Sequence, residues 1–335
     1  MTLTPEYKLK SIGSVNALAR LLQLPLSRVQ YLANNASDFY RVAKIEQKKS
    51  GGQRVTYDAY RALKSVHRKL QHQIFKKVIY PQYIQGSISG RSYITNVRNH
   101  TKSKIVICED ISNFFPTIKA DQVEKMFMRL FHFPQEVAKI LTNLVTLNGS
   151  VPQGGVCSSY IANLVMWEKE SVLVSRLIKT KLTYTRYVDD ITVSSKSYMT
   201  KQEISDVIAS IYGMLRYYGV EPNKSKHEVL GNGTHQTVHR VGVNGNRPSF
   251  GKEEKKKVRS AVHNLSTLFT DDHCTYEDYL RVFSSVSSQV GKLQQLNEFQ
   301  GKKYREALNA IKPSIKPSIK RFTLESLTYT DSDLI

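Results

Sequence analysis

The chain has 335 residues, of which 40% are hydrophobic and 10% aromatic, so it can bury a substantial core and wholesale disorder is excluded. No apolar run approaches the roughly 18 residues that a membrane span requires, so we expect no membrane partner. The 49 lysines and arginines outnumber the 28 acidic residues, and the resulting net charge of +21 favours a polyanionic partner such as nucleic acid. Cys108, Cys157 and Cys274 lack metal-ligand spacing, and the N-terminus lacks the apolar core of a signal peptide, so the sequence predicts a cytoplasmic protein.

The positive charge is concentrated in two tracts. The segment from Arg41 to Lys77 contains eleven basic and two acidic residues, and the segment from Lys302 to Arg321 contains seven basic residues and one acidic residue. Two separated tracts suit a protein that holds a long nucleic acid at more than one place. The alternative is that both tracts are solvated surface.

The N-terminal part of the chain has helical patterns. Ala17 to Leu22 and Ser27 to Ala33 are short apolar-faced segments joined through Pro25. They are predicted to form either a helical hairpin that packs on a neighbour or a helix-turn-helix with a recognition helix. Apolar residues then recur at helical spacing from Leu63 to Val78, with lysines and arginines on the other face.

The middle of the chain alternates between strand and helix patterns. Strands are predicted at 104–108 and, around a tight turn, within 182–195, and a hairpin centred on Asn244-Gly245 is predicted at 239–250. Helices are predicted at 137–145, 158–179 and 204–218 and beyond Lys252. This order predicts an α+β sheet domain between helical regions.

Three carboxylates occupy positions at which they could meet. Asp110 ends the 104–108 strand region, and Asp189-Asp190 lies at the tip of the tight turn. If these strands are neighbours in one sheet, the carboxylates share an edge and can bind two Mg²⁺ ions for phosphoryl transfer. The alternative for the pair alone is an ordinary surface turn, in which aspartate is common.

Four blocks in order carry a resemblance to a known family. They are Asp110-Ile-Ser-Asn-Phe-Phe-Pro116, Val151-Pro-Gln-Gly-Gly-Val-Cys-Ser-Ser-Tyr-Ile-Ala-Asn163, Tyr187-Val-Asp-Asp190 and Gly219-Val-Glu-Pro-Asn-Lys-Ser-Lys226. Their order and spacing, over roughly Arg41 to Phe250, resemble those of bacterial retron-type reverse transcriptases. The resemblance implies a right-hand α+β polymerase with fingers, a palm of antiparallel sheet and helices, and a helical thumb.

Two further segments resemble the retron branch. Asn96-Val-Arg-Asn-His100 is similar to the retron asparagine-alanine-x-x-histidine signature, with Val97 in place of the alanine, and Arg240-Val-Gly242 keeps the glycine of the valine-threonine-glycine signature. Gly155-Val-Cys157 departs from the small residues and proline usual after the glutamine block. The implied domains are an N-terminal helical region (1–40), fingers (41–103 with part of 120–157), a palm (104–240), a primer-grip hairpin with helical thumb (241–320) and a C-terminal tail (321–335).

The resemblance implies a role for individual residues. The metal ligands would be Asp110, Asp189, Asp190 and the carbonyl of Ile111, holding two Mg²⁺ ions for which Mn²⁺ can substitute. Lys226, or alternatively Lys224, would protonate the leaving pyrophosphate. The dNTP would contact Arg54, Arg61, Gln153, Gly154 and Phe115, the last as an aromatic that excludes a 2′-hydroxyl. The alternative for the aromatic pair is that Phe114 or Phe115 belongs to the core.

The implied partners are a structured non-coding RNA that serves as template and primer, its DNA product and a separate effector protein. The product would be a branched RNA–DNA hybrid (msDNA) made in an anti-phage retron system. RNA contacts are expected at Asn96, Arg98, His100, Lys302, Lys303 and Arg305. Two alternatives are another bacterial defence or intron-related reverse transcriptase with different priming, and an RNA-binding scaffold without catalysis.

Overall fold

The computed structural model describes residues 2–48, 51–271 and 273–313. The chain divides into two compact units, one up to Ser249 and a second from Phe250. In the described part of the chain, no helix has the length and apolar character needed to cross a membrane. The predicted tail (321–335) and residues 314–321 of the second basic tract lie outside the described residues.

The first part of the chain forms helices around a two-stranded ribbon. The elements, in chain order, are β1 (Glu6–Tyr7), α1 (Val15–Leu22), α2 (Leu26–Asn34), β2 (Tyr40–Gln47), β3 (Gln53–Ala59), α3 (Arg61–Gln73), β4 (Val78–Ile79) and α4 (Tyr93–Arg98). The antiparallel pair β2 and β3 makes the ribbon. As predicted, α1 and α2 form a helical hairpin, and it packs against α7 (Gln135–Val145). Helix α3 is shorter than its apolar pattern indicated, because the chain turns at Phe75–Lys77 and Val78 joins β4.

The remaining elements of the first unit include a four-stranded antiparallel sheet. They are β5 (Ile105–Asp110), α5 (Phe114–Thr117), α6 (Ala120–Arg129), α7, α8 (Ser158–Leu164), α9 (Trp167–Lys179), β6 (Leu182–Tyr187), β7 (Asp190–Ser195), α10 (Lys201–Tyr217), β8 (Glu228–Gly231), β9 (Thr237–Val238) and β10 (Val241–Gly242). The strand order of the sheet is β6-β7-β5-β8. The predicted strand at 104–108 and the pair within 182–195 are confirmed. The single helix predicted at 158–179 is interrupted between α8 and α9.

The two faces of the sheet carry different side chains, because successive residues of a strand point to opposite sides. Ile107, Tyr184 and Val193 are cross-strand neighbours on one face and are buried in the core, where α9 packs against β6. Asp110 and Asp190 pair with each other on the opposite face. The helix α4 packs on β6, and Cys108 on that opposite face contacts the carbonyl of Thr237 in β9. The carboxylates therefore lie at one end of the polar face of the sheet.

The predicted hairpin at 239–250 takes a different form. The regular pairing joins β9 to β10, and the Asn244-Gly245 segment lies in a loop closed by two backbone hydrogen bonds between Gly242 and Ser249. The Asn244 side chain bonds back to the chain at Thr234 and Gln236. The turn signal was correct, but the asparagine side chain supports a wider loop instead of a two-residue turn.

The second unit is helical. Its helices are α11 (Lys252–Phe269), α12 (Tyr276–Leu296) and α13 (Glu298–Ala310), as predicted for the region beyond Lys252. Val262, Leu265, Val290 and Leu308 form part of its separate apolar core. The Thr275 hydroxyl caps α12 by accepting from the Asp278 N–H, in the manner usual for helix N-termini.

Candidate active site

Three carboxylates come together where β5 meets the β6–β7 turn. Asp110 ends β5 and pairs with Asp190, the first residue of β7, while Asp189 lies in the turn. The backbone N–H of Ile111 donates to the Asp189 carbonyl at 2.9 Å, which ties the turn to the chain that leaves β5. The convergence expected from the sequence is therefore confirmed by the strand register.

The turn that carries Asp189 has an unusual backbone and close support. Val188 has φ +60°, a left-handed conformation that β-branched residues rarely adopt. The segment Tyr83–Gly86 lies against the turn and exchanges backbone hydrogen bonds with Arg186 at 2.8 Å. A Cβ atom at Gly86 would lie 2.5 Å from the Val188 side chain, so only glycine allows this approach.

The carboxylates disfavour one another's charge. Burial, together with the neighbouring Asp189 and Asp110, raises the pKa of Asp190 to about 7, and burial also raises the pKa of Asp189. A cation placed among them would be stabilised strongly, because it would relieve this repulsion.

Asp110 already has a cationic partner. Lys226 Nζ lies 2.6 Å from Asp110 Oδ1, and Asn223 Nδ2 donates to Oδ2 at 3.0 Å. The hydrogen bond with Asp110 raises the pKa of Lys226, which keeps that ammonium protonated. Of the two lysines considered from the sequence, Lys226 is the one beside the carboxylates, and Lys224 is exposed at the start of the same turn.

The donor chemistry of the site fits a hard divalent cation, although the ligands are not preassembled. Carboxylate oxygens and a backbone carbonyl at Ile111 are the ligands that Mg²⁺ prefers. Within residues 2–48, 51–271 and 273–313, no group of three or more His, Cys, Asp or Glu side chains is arranged to hold a metal ion. The pKa values of Asp189 and Asp190, raised by burial and by neighbouring carboxylates, and the contact of Lys226 with Asp110 both mark the place where positive charge is favoured.

A cleft of about 640 Å³ opens beside the carboxylates. Its wall includes three residues that the sequence predicted as nucleotide contacts, Arg54, Phe115 and Gln153. It also includes Ile111, Asp110 and Asp189, which were predicted as metal ligands, and Lys226. The ribbon β2–β3 approaches the cleft at its tip, where Lys48 Nζ donates to Asn113 Oδ1 at 2.6 Å. The cleft is thus bounded by the ribbon on one side and the end of the sheet on the other.

The two aromatic residues after Asp110 differ in burial. Both border the cleft, but Phe114 is 2% exposed and belongs to the core, whereas Phe115 is half-buried and packs against that core. The alternative that one ring is structural is confirmed for Phe114.

Two other predicted nucleotide contacts are placed differently. Arg61 is exposed at the start of α3 and is not among the cleft-lining residues of the described chain. Gly154 has φ +97°, and a Cβ there would lie 2.7 Å from the carbonyl oxygen of Tyr57 in β3. The close approach that this glycine permits is therefore to β3.

The expectation that Asn96 and His100 face RNA is wrong for their side chains. Both residues are fully buried and hydrogen-bonded within the protein, and burial lowers the pKa of His100 to about 3. Arg98, between them, is exposed. The segment has the composition of a surface loop, but residues 96–98 belong to helix α4, and the Asn96 and His100 side chains have protein partners.

The basic residues predicted to contact RNA in the second unit differ from one another. Lys302 pairs with Glu298 at 2.6 Å, and Arg305 donates to the Ser287 hydroxyl at 2.7 Å. Lys303 is exposed. Lys302 and Lys303 are thus both exposed, and of these three basic residues only Lys303 has no ion pair or side-chain hydrogen bond with another described residue.

Sequence reasoning missed several supporting residues. Asn223 lies inside the asparagine–lysine block and was therefore detectable, but Arg186, Glu170 and His239 have no local signal. Arg186 and Glu170 form a buried ion pair, and His239 Nδ1 lies 3.5 Å from Asp190 Oδ2. Burial lowers the pKa of His239 to about 4, so this ring is neutral near pH 7.

Comparison with known proteins agrees with this geometry. Residues 46–296 match the family model described as reverse transcriptase (RNA-dependent DNA polymerase). The retron Se72 reverse transcriptase of Salmonella heidelberg (strain 579083-10) is 33% identical over 92% of this chain and 82% of its own length. The retron Ec48 reverse transcriptase of Escherichia coli is 29% identical over 90% of this chain and 77% of its own.

Among solved structures, telomerase from Candida albicans, in complex with a fragment of telomeric RNA, aligns with a TM-score of 0.41 and 13% identity. That alignment covers 74% of this chain and 46% of the telomerase chain. The sequence comparisons carry the assignment, because they extend over most of the chain and include the segments that build the carboxylate site. This α+β chain belongs to the retron reverse transcriptases.

Proposed function

We propose that this reverse transcriptase synthesises DNA at the site formed by Asp110, Asp189 and Asp190. The observation that carries the proposal is the pairing of Asp110 with Asp190 at the open end of the sheet, beside a cleft large enough for a nucleotide. The raised pKa values of Asp189 and Asp190, caused first by burial and then by neighbouring carboxylates, support a site that works with bound cations.

The proposed metal ligands are the three aspartates and the carbonyl of Ile111, with two Mg²⁺ ions that Mn²⁺ can replace. When bound, the ions would supply charge to activate the 3′-hydroxyl and to neutralise the pyrophosphate. The protonated Lys226 lies beside Asp110 and is proposed to give a proton to the leaving pyrophosphate. Arg54 and Gln153 line the cleft and are proposed to bind the incoming dNTP, with the guanidinium on the triphosphate.

Phe115, Gly154 and Arg61 are proposed to serve the incoming nucleotide in different ways. Phe115 lines the cleft and would exclude a 2′-hydroxyl by its bulk. Gly154 would act indirectly, by letting Gln153 dock on β3, where the Gln153 carbonyl accepts from the Tyr57 N–H at 2.8 Å. Arg61 would have to reach the triphosphate from the start of α3.

We propose a right-hand arrangement for the domains. The N-terminal helices (1–40) precede the fingers (41–103 with part of 120–157), and the palm occupies 104–240. The region 241–320, which the structure describes as far as residue 313 except for residue 272, is assigned to the primer-grip hairpin and thumb. The ribbon β2–β3 supports the fingers assignment, the carboxylate-bearing sheet supports the palm, and the three helices after Phe250 support the thumb.

The template is proposed to be a structured non-coding RNA that also primes synthesis, and the product a branched RNA–DNA hybrid (msDNA). The names of the relatives, which are retron reverse transcriptases, support this proposal. We place the reaction in the cytoplasm, where RNA and dNTPs are supplied, and we expect a separate effector protein to couple it to defence against phage.

The decisive experiment compares Asp189→Asn with Asp121→Asn, a matched change on the exposed surface of α6. Asp189→Asn is expected to abolish DNA synthesis from a primed RNA while RNA binding is retained, and Asp121→Asn should behave like the wild type. Synthesis by Asp189→Asn at the wild-type rate would contradict the site. A wild-type protein that binds RNA but makes no DNA would indicate a scaffold, and a product without a branch would indicate different priming.

A further inference from the structure

Asn96 of helix α4 and His100, two residues after its end, are buried and face the hairpin that carries the aspartate pair. Asn96 and His100 lie four residues apart, which places them on the same side of the helix end. Both are 0% exposed, whereas Asn99 between them is exposed. Buried polar side chains are retained when they have specific partners, so their partners show what the segment does.

His100 joins the two strands of the catalytic hairpin. Its Nδ1 lies 2.8 Å from the Ser194 hydroxyl of β7, and its Nε2 lies 2.7 Å from the Thr185 hydroxyl of β6. A neutral imidazole has one donor and one acceptor, and hydroxyl groups can complement both. Thr185, Ser194 and Asp190 occupy the same face of the sheet, so the ring stabilises the strand pair on the side where Asp190 lies.

Asn96 acts on the same hairpin through His239. Asn96 Nδ2 donates to His239 Nε2 at 2.7 Å, so the neutral ring carries its hydrogen on Nδ1. That Nδ1 lies 3.5 Å from Asp190 Oδ2, and the ring packs edge-on against Tyr187 with 5.0 Å between centroids. The amide therefore sets which nitrogen presents an N–H toward the carboxylate.

The backbone at His239 supports a fixed placement. His239 and Arg240 have φ values of +51° and +62°, both in the left-handed region that residues other than glycine seldom occupy. Such conformations persist where surrounding contacts hold them. At His239 the contacts are those with Asn96, Tyr187 and Asp190.

We propose that Asn96, His100 and His239 are positioning residues that hold the catalytic hairpin and orient the carboxylate of Asp190. This inference rests on the proposed function, because it assigns its effect to the same carboxylate site. Asn96 and His100 therefore support the catalytic residues from within the protein, and they do not make the RNA contacts that the sequence had led us to expect. Residues that orient a metal-binding carboxylate typically change metal affinity or activity when they are removed.

The test compares Asn96→Ala with Asn99→Ala, the same substitution at an exposed position of the same segment. Asn96→Ala is expected to lower turnover on a pre-annealed primer–template by about 10- to 100-fold and to raise the Mg²⁺ concentration for half-maximal rate. Two measurements without turnover accompany these: Kd for the primer–template in the absence of Mg²⁺, and the rise in Tm on adding Mg²⁺. The Kd should stay close to the wild-type value and the rise in Tm should shrink, while Asn99→Ala should match the wild type throughout.

A double-mutant cycle separates positioning from general damage. If Asn96 acts through His239, then Asn96→Ala combined with His239→Ala should lower turnover no further than the worse single variant. If the two substitutions instead lower turnover independently, so that their fold-changes multiply, Asn96 does not act through His239 and the proposal is overturned. If Asn96→Ala weakens primer–template binding without Mg²⁺ by as large a factor as it lowers turnover, the positioning role is wrong and Asn96 contacts the RNA directly. Because these readouts use Asn96 and His239, the test stands even where His100→Ala fails to fold.

The outcomes also distinguish this inference from the proposed function. If Asp189→Asn is inactive and Asn96→Ala keeps normal turnover and Mg²⁺ dependence, the positioning role is overturned and the site stands. If Asp189→Asn retains synthesis, the carboxylate site itself is overturned.

Discussion

Arg186 and Glu170 form an ion pair with both side chains 0% exposed, in which Arg186 Nε and Nη2 donate to the two carboxylate oxygens at 2.6 and 2.8 Å. The remaining nitrogen, Nη1, donates to the carbonyl of Val188 at 2.9 Å. The guanidinium therefore connects helix α9 to the turn that carries Asp189. A fully paired buried arginine is costly to disturb, since removal of one partner leaves an uncompensated charge.

We expect Glu170→Gln to lower the free energy of unfolding by about 3–5 kcal/mol, because Arg186 would keep its charge without a partner. The double variant Glu170→Leu with Arg186→Met should recover much of that stability, since both charges are gone. It should not recover DNA synthesis, because the Val188 carbonyl loses its donor. Denaturant unfolding and primer extension measure the two effects, and a double variant that restores both would show that the pair serves stability alone.

Phe115→Ala is expected to raise incorporation of ribonucleotides relative to deoxyribonucleotides, because the half-buried ring lines the cleft where the sugar would lie. Primer extension with each nucleotide type gives the ratio of kcat/KM values. Phe114→Ala is the comparison: its ring is buried in the core although it also borders the cleft, so it should lose about 3–5 kcal/mol of stability, and a larger change of sugar preference than in Phe115→Ala would place the sugar contact at Phe114. A folded Phe115→Ala protein with unchanged preference would place the sugar contact elsewhere.

His67 is expected to make the protein less stable in mild acid. The ring bonds the Leu144 carbonyl through Nε2 at 2.6 Å, and burial lowers the pKa of His67 from 6.5 to about 4. Between these values the unfolded chain binds a proton that the folded chain does not. The free energy of unfolding therefore falls as the pH drops through this window, by up to about 1.4 kcal/mol per pH unit for one proton.

His67→Gln keeps an N–H for Leu144 and removes the titration. Its free energy of unfolding should depend less steeply on pH between 6.5 and 4 than that of the wild type. Denaturant melts across this range provide the comparison. His100 and His239 have lowered pKa values and add a slope of the same sign, whereas Asp189 and Asp190 have raised pKa values and add a slope of the opposite sign, so the informative quantity is the difference in slope between His67→Gln and the wild type. An unchanged slope would mean that His67 does not titrate as its burial indicates.

Lys303 is expected to contribute to RNA binding by the second unit. Its exposed ammonium can neutralise a phosphate, so Lys303→Ala should weaken binding of the structured RNA and reduce the slope of log K against log salt by about one unit or slightly less. Lys201→Ala, on the exposed start of α10, is the control. Equal affinity and slope in the wild type and Lys303→Ala would assign the lysine to solvated surface.

The parts of the site that could be predicted are those with a local signal. The apolar run before Asp110 and the alternation around Asp189 indicated neighbouring strands, and antiparallel pairing was enough to bring the carboxylates together. Lys226 was also identified, because it lies in a block with recognisable spacing. Helix α3 was overextended, since Ile74 and Val78 continue its apolar period although the chain turns at Phe75.

The parts that could not be predicted depend on contacts between distant positions. Asn96 and His100 resemble surface residues beside Arg98, and their burial results from partners 85 to 143 residues further along the chain. Nothing near Glu170 indicates that its carboxylate meets Arg186 in the core. Composition describes the charge of such residues, whereas only the packed structure shows their partners.

The contact between Gly86 and Val188 has a consequence for how the site forms during synthesis of the chain. The segment Tyr83–Gly86 leaves the ribosome about a hundred residues before the hairpin that it supports. It has therefore already been synthesised when the turn emerges. His239, which contacts Asp190 on the same hairpin, is translated later still. Such non-local contacts are slow to form, because loop closure precedes any stabilisation. Folding of the catalytic turn is therefore expected to be completed only after the chain has passed residue 239, long after its aspartates have been made.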